Sequence, residues 1–253
     1  MDSDAARPAP VDAGAAGGGA VTQRPVRWGI PEAFAGVAIA IVLVLVLSWL
    51  VRTVIIDPHL QLLLSYLVVW VPLLGACVYA TVVRGSRSFS RDFGLRFTGL
   101  DLLWGVGFGL IARAIASVVE IAVYGRMAGL GVSFGETVYD GWWVFQMMLA
   151  PVLLAPVVEE LFFRGLLQRA VYRSVAASRG WAIGLSVAIS AAVFALVHLL
   201  DVATPGAALV VGLSTFVFGV GSGLIAAFTG RIGGSIVAHV TFNAALLAAV
   251  LTS

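Results

Sequence analysis

Pro156-Val157-Val158-Glu159-Glu160-Leu161-Phe162-Phe163-Arg164-Gly165 decides how this chain is read. Two adjacent carboxylates stand at the end of an apolar run, Trp142 to Val158. Charge inside a bilayer is costly unless it is paired or hydrated. On a helix Glu160 and Arg164 lie four residues apart and share a face, so they can pair. Glu159 projects about 100° away and is left for other work. Pro156 has no N–H for the preceding turn, which favours a kink just before the acids. A plainer reading is a helix end at the membrane surface with its charges reaching for water.

The surroundings decide for a membrane. The chain has 253 residues, 60% hydrophobic and 11% charged, whereas soluble domains carry about a quarter charged residues. Apolar runs near twenty residues recur, each long enough to cross a bilayer. The predicted spans are 30–51, 60–83, 100–124, 142–163, 181–200, 207–228 and 232–251. The fold class is therefore all-α, a polytopic transmembrane bundle of about seven spans. Residues 1–27 form a polar cytoplasmic tail, expected to be disordered because it is too poor in apolar surface to order itself. Residues 28–253 form the helical domain. Arg24, Arg27 and Trp28 are expected to anchor the first span at the interface. Gly105 with Gly109, and Gly219 with Gly223, are small-xxx-small pairs that let helices approach closely.

All 15 basic residues are arginine, and the net charge is +2. Their dispersal between apolar runs is not a nucleic-acid footprint. Twelve of the 15 fall in the N-terminal segment and the loops after spans two, four and six. Arginine bias then makes that side, with the N-terminus, cytoplasmic. The lone Cys77 cannot form an internal disulfide and reads as a packing residue. Arg113 and Glu120, seven apart in span three, read as structural.

Three histidines are present. His59 lies beside Pro58 in a loop and reads as interfacial. His198 closes Phe194-x-x-x-His198, and His239 opens His239-x-x-x-Asn243. Each pair shares a helix face. Phe194 could wall a pocket, although ordinary packing also explains it. Asn243 could donate a hydrogen bond beside His239, or simply tie helices together. Two chemistries suit these groups. Glu159, His198 and His239 could hold one divalent metal such as zinc with an activated water. Alternatively Glu159 and His198 activate water directly, while His239 and Asn243 stabilise an oxyanion. The helical zinc motif His-Glu-x-x-His does not occur.

Glu159-Glu160-x-x-x-Arg164, Phe194-x-x-x-His198 and His239-x-x-x-Asn243, in that order and each in an apolar helix, resemble the CAAX-protease and bacteriocin-processing family of intramembrane proteases. The resemblance covers residues 142–251 and is similar to the prenyl-protein endopeptidase branch. It implies a water-filled cavity in a helical bundle and hydrolysis of a peptide bond in a membrane-associated, sometimes lipidated, protein or peptide. It implies site roles for Glu159, Glu160, Arg164, His198, His239 and Asn243, and leaves metal and metal-free routes open. Two other classes remain: a non-catalytic immunity or scaffold protein, and a proton-coupled transporter with a Glu–His relay.

The simple spans leave one conflict. They put Glu159 near the cytoplasmic end of span four and His198 near the far end of span five, a mismatch approaching ~20 Å. Span four must then continue well past Arg164, toward Arg173. Otherwise span five starts below the surface, or an eighth short helix intervenes.

Overall fold

The computed structural model describes residues 25–127, 140–200 and 202–252. Residues 1–24 of the expected tail, the anchor Arg24 among them, and most of the loop 125–141 lie outside them; at the tail's end Arg27 N–H donates to the Arg84 carbonyl at 2.7 Å. Seven helices are long and apolar enough to cross a membrane, and no strand occurs among the described residues. The long helices are α1 (Ile30–Thr53), α2 (Pro58–Val82), α4 (Gly99–Tyr124), α5 (Gly141–Ser174), α6 (Arg179–His198), α7 (Pro205–Thr229) and α8 (Gly233–Leu251). A short helix, α3 (Phe89–Phe93), joins α2 to α4.

The main correction concerns span four. It does not stop at residue 163 but runs for 34 residues to Ser174. The apolar signal fades after Phe163 because Arg164, Gln168 and Arg169 interrupt it. The first two of these are nevertheless buried and bonded inside the bundle. This is the first of the three resolutions above, and it brings Glu159 to mid-helix.

Helix α5 is the centre of the bundle. Every residue from Glu160 to Gln168 is buried, and α5 touches α1, α2, α3, α6, α7 and α8. Small residues permit this. A side chain on Gly36 of α1 would meet Phe162 at 2.8 Å, and one on Gly165 would meet Phe93 at 2.9 Å. Both predicted glycine pairs sit at close helix contacts. Gly105 and Gly109 face Val237, Ala238 and Thr241 of α8, while Gly219 and Gly223 face Ala191 and Val187 of α6.

Two stretches of α5 are wound as π-helix, Phe145–Leu154 and Leu161–Leu167. Such widened turns are rare and often occur at functional sites. They lie just before and just after the paired acids. The end of the bundle rich in arginine is tied by polar bonds. Arg231 bonds Asp101 at 3.0 Å, Ile232 N–H donates to the Gly94 carbonyl at 2.9 Å, and Thr81 donates to Asp92.

Trp28 departs from expectation. It is 4% exposed, packs on Phe93 at 5.2 Å, and lies 4.0 Å beneath the Arg173 guanidinium. The extension of α5 to Ser174 covers it, so it anchors helices rather than lipid. His59 is exposed, as expected for an interfacial residue, and stacks on Trp142. Cys77 is fully buried. Arg113 pairs with Glu120 and bonds Ser117 within α4, the structural arrangement anticipated.

Candidate active site

Glu160 is fully buried, and both its oxygens are bonded. Oε1 accepts from Arg164 Nη1 at 3.0 Å and from His239 Nδ1 at 2.9 Å. Oε2 accepts from the Ser222 hydroxyl at 2.8 Å. Arg164 is buried too. Its guanidinium lies 4.6 Å from the Phe194 ring centroid, and Nη2 donates to the Gly219 carbonyl at 3.4 Å. A buried ion pair is sustained when further hydrogen bonds satisfy its remaining lone pairs and protons. Here those bonds come from α7 and α8, so the pair fastens three helices.

Glu159 is different. Its side chain is 14% exposed, yet Oε2 is buried with no hydrogen-bond partner. Two ring nitrogens approach that oxygen: His198 Nε2 at 3.9 Å and His239 Nε2 at 3.8 Å. Each ring is oriented from its other nitrogen. His198 Nδ1 lies 2.8 Å from the Phe194 carbonyl. A carbonyl only accepts, so that Nδ1 carries the hydrogen. His239 Nδ1 likewise donates to the Glu160 carboxylate. In the neutral tautomers, both Nε2 lone pairs therefore face Glu159 Oε2.

Asn243 is held by the irregular winding of α5. Ala155 N–H bonds the Ala150 carbonyl, five residues back. In that register the Pro151 carbonyl would be served by residue 156, a proline without an N–H. Asn243 Nδ2 serves it instead, at 2.7 Å. The amide is thereby fixed one helical turn from His239, with its second hydrogen uncommitted. Pro156 thus acts chiefly through the donor it withholds.

Glu159, Phe194, His198, His239 and Asn243 line one cavity of about 440 Å³. Its other walls are largely apolar, including Met147, Val152, Phe242 and Leu246. Phe194 is 1% exposed and supports His198 at a ring separation of 4.4 Å. All six expected site residues thus meet in one region. Glu160 and Arg164 stand behind it, and the other four border the open space. Ser222 and Ser190 were not foreseen. Ser190 donates to the Phe163 carbonyl at 2.9 Å, and both hydroxyls fix the segment carrying the acids.

Glu159, His198 and His239 are donors of the right type for zinc. Their present separations are wider than those of ligands on a bound zinc. Ligands on a tetrahedral zinc lie about 3.3 Å apart, given bonds near 2.0–2.1 Å. The separations here are 3.8 and 3.9 Å, and no group of His, Cys, Asp or Glu among the described residues is placed to hold a metal ion. Polar atoms at such separations are commonly bridged by water.

Seven apolar helices around a buried cluster of carboxylates and histidines define an integral, multi-pass membrane protein. Residues 141–245 match the family model described as type II CAAX prenyl endopeptidase Rce1-like, consistent with the CAAX-protease and bacteriocin-processing family named from the motifs. The match covers the segment from α5 to α8 that carries all six site residues. Neither the curated proteins nor the solved structures gave a match.

Proposed function

We propose that the chain is an intramembrane endopeptidase that hydrolyses a peptide bond with a water activated directly by Glu159 and His198. One observation carries this reading. The unpartnered Glu159 Oε2 faces both histidine Nε2 atoms at a spacing suited to one shared water. The water would donate hydrogen bonds to Glu159 Oε2 and His198 Nε2, leaving a lone pair for the carbonyl carbon. As oxygen attacks, its proton passes to Glu159. The carbonyl oxygen becomes an oxyanion, met by the second Asn243 hydrogen and by His239, which can donate from Nε2 only in its imidazolium form, the form that the Glu160 carboxylate at 2.9 Å favours. The tetrahedral adduct then collapses, the C–N bond breaks, and Glu159 returns the proton to the departing amine nitrogen. Glu160 and Arg164 position His239 and do not touch the reacting atoms.

The apolar walls favour a substrate whose flanking segment, or an attached lipid chain, is itself apolar. Purified protein in detergent should therefore cleave quenched peptides, lipidated members of a series faster than plain ones. His198→Ala should remove cleavage with the helical fold intact. Proton flux into sealed vesicles without any peptide product would instead establish the transporter reading. An equal effect of wild type and His198→Ala in every assay would favour a scaffold.

A further inference from the structure

A second cavity, of about 170 Å³, lies on the other side of Arg164, between α5, α6 and α7 at the arginine-rich end. Arg164, Gln168, Arg169, Tyr172 and Arg179 line it. At about 30 Å³ per water it has room for several waters or a compact polar group. Its charges are unbalanced. Arg169 donates to the Gly230 carbonyl at 2.9 Å, and neither Arg169 nor Arg179 has a carboxylate in ion-pair range among the described residues. The charged neighbours of Arg169 are Arg96 and Arg173, which repel it.

Three further features point to an anion. Arg164 is 1% exposed, and its Nε is a buried donor without a partner. Arg179 opens α6, where the helix dipole disfavours a cation. The Ser178 side chain makes no capping bond to the first N–H groups of that helix, so they too are available to an acceptor. The one contrary group is Gln168 Oε1, a buried acceptor without a partner. It asks for a hydrogen donor beside the anion.

We infer that this cavity binds a phosphate group carrying a neighbouring hydroxyl or ammonium, either the headgroup of an anionic phospholipid or a free phosphate. Arg179, Arg169 and Arg164 Nε match the phosphate oxygens, and the hydroxyl or ammonium satisfies Gln168. A basic pocket between membrane helices is a physically reasonable headgroup site. Arg164 lines this cavity and stands behind the other: Nη1 holds Glu160 while Nε remains for the anion. Occupancy is thereby linked to the carboxylate that orients His239. Neither the site nor its ligand depends on the peptidase reading.

The test uses the full chain in detergent and follows its melting temperature, which a ligand of the native state raises saturably. The probes are dihexanoyl phosphatidylglycerol, dihexanoyl phosphatidylcholine and inorganic phosphate at constant ionic strength. Phosphatidylglycerol should bind about tenfold more tightly than phosphatidylcholine. Arg179→Gln should lose that margin, while Arg179→Lys and the distant Arg52→Gln keep it. Saturable binding of inorganic phosphate with the same dependence on Arg179 would support the site and assign it to free phosphate. The inference is overturned if neither anion binds in preference to phosphatidylcholine, or if Arg179→Gln binds like the wild type.

Discussion

His239 Nδ1 lies 2.9 Å from Glu160 Oε1, a bond between helices whose partners stand 79 positions apart in sequence. It sets the direction of the His239 ring and hence where Nε2 points. Glu160→Gln keeps the shape but removes the charge, leaving Arg164 buried without its counter-ion. Breaking a buried pair from one side costs about 3–5 kcal/mol. A large drop in melting temperature is expected, with loss of cleavage even in protein that remains folded. Thermal unfolding and activity measured on the same sample check this.

Asn243 should behave differently. Asn243→Ala leaves the Pro151 carbonyl without a donor and removes one oxyanion contact. Loss of a single oxyanion donor lowers kcat by about 10²–10³-fold, whereas an unsatisfied buried carbonyl costs about 1–3 kcal/mol. Steady-state kinetics should show kcat falling much more than KM rises. A purely structural asparagine would lower the melting temperature and leave kcat of the folded fraction unchanged.

Packing between α4 and α8 yields a prediction outside the site. A Cβ on Gly109 would lie 2.6 Å from the Ala238 carbonyl oxygen and 2.7 Å from Thr241 Cβ. Gly109→Val should destabilise the protein by about 1–3 kcal/mol through overpacking. Gly107, with nothing within 4 Å of its added Cβ, should accept Ala with little change. Comparing the melting temperatures of the two variants is sufficient.

The direct-water route makes a plain statement about metal. Cleavage should survive extended dialysis against chelator, because the direct route needs only a water, for which the 3.8 and 3.9 Å separations leave room. Loss of activity on chelation, restored by zinc, would replace the direct route with a metal-bound water while leaving the peptidase reading in place.

Much of this was legible in residue order. Helix ends fell within a few residues of the apolar runs because hydropathy and length are what a bilayer selects. The acids, histidines and asparagine stood out because polar side chains are costly there. Span four was misjudged for the converse reason. Hydropathy scores Arg164 and Gln168 as ends of a span, whereas their bonds to Glu160, Gly219 and Gly223 make them interior. Ser222 carried a faint signal: it is a hydroxyl between two close-packing glycines, Gly219 and Gly223, in a membrane span. The exchange of Asn243 for a proline's absent donor depends on a π-helical register, which no local spacing announces. Trp28 looked interfacial because tryptophan beside arginine before a span usually is; a helix end distant in sequence buried it.

The most direct measurement is cleavage of one good quenched substrate by wild type and Glu159→Gln, at matched concentration and with melting temperatures recorded. Glutamine keeps the size of the side chain and cannot accept the proton of the attacking water. The rate should fall by about 10²–10⁴-fold while the melting temperature stays close to that of the wild type. Cleavage by Glu159→Gln at the wild-type rate would contradict the assignment of Glu159 as the group that activates water.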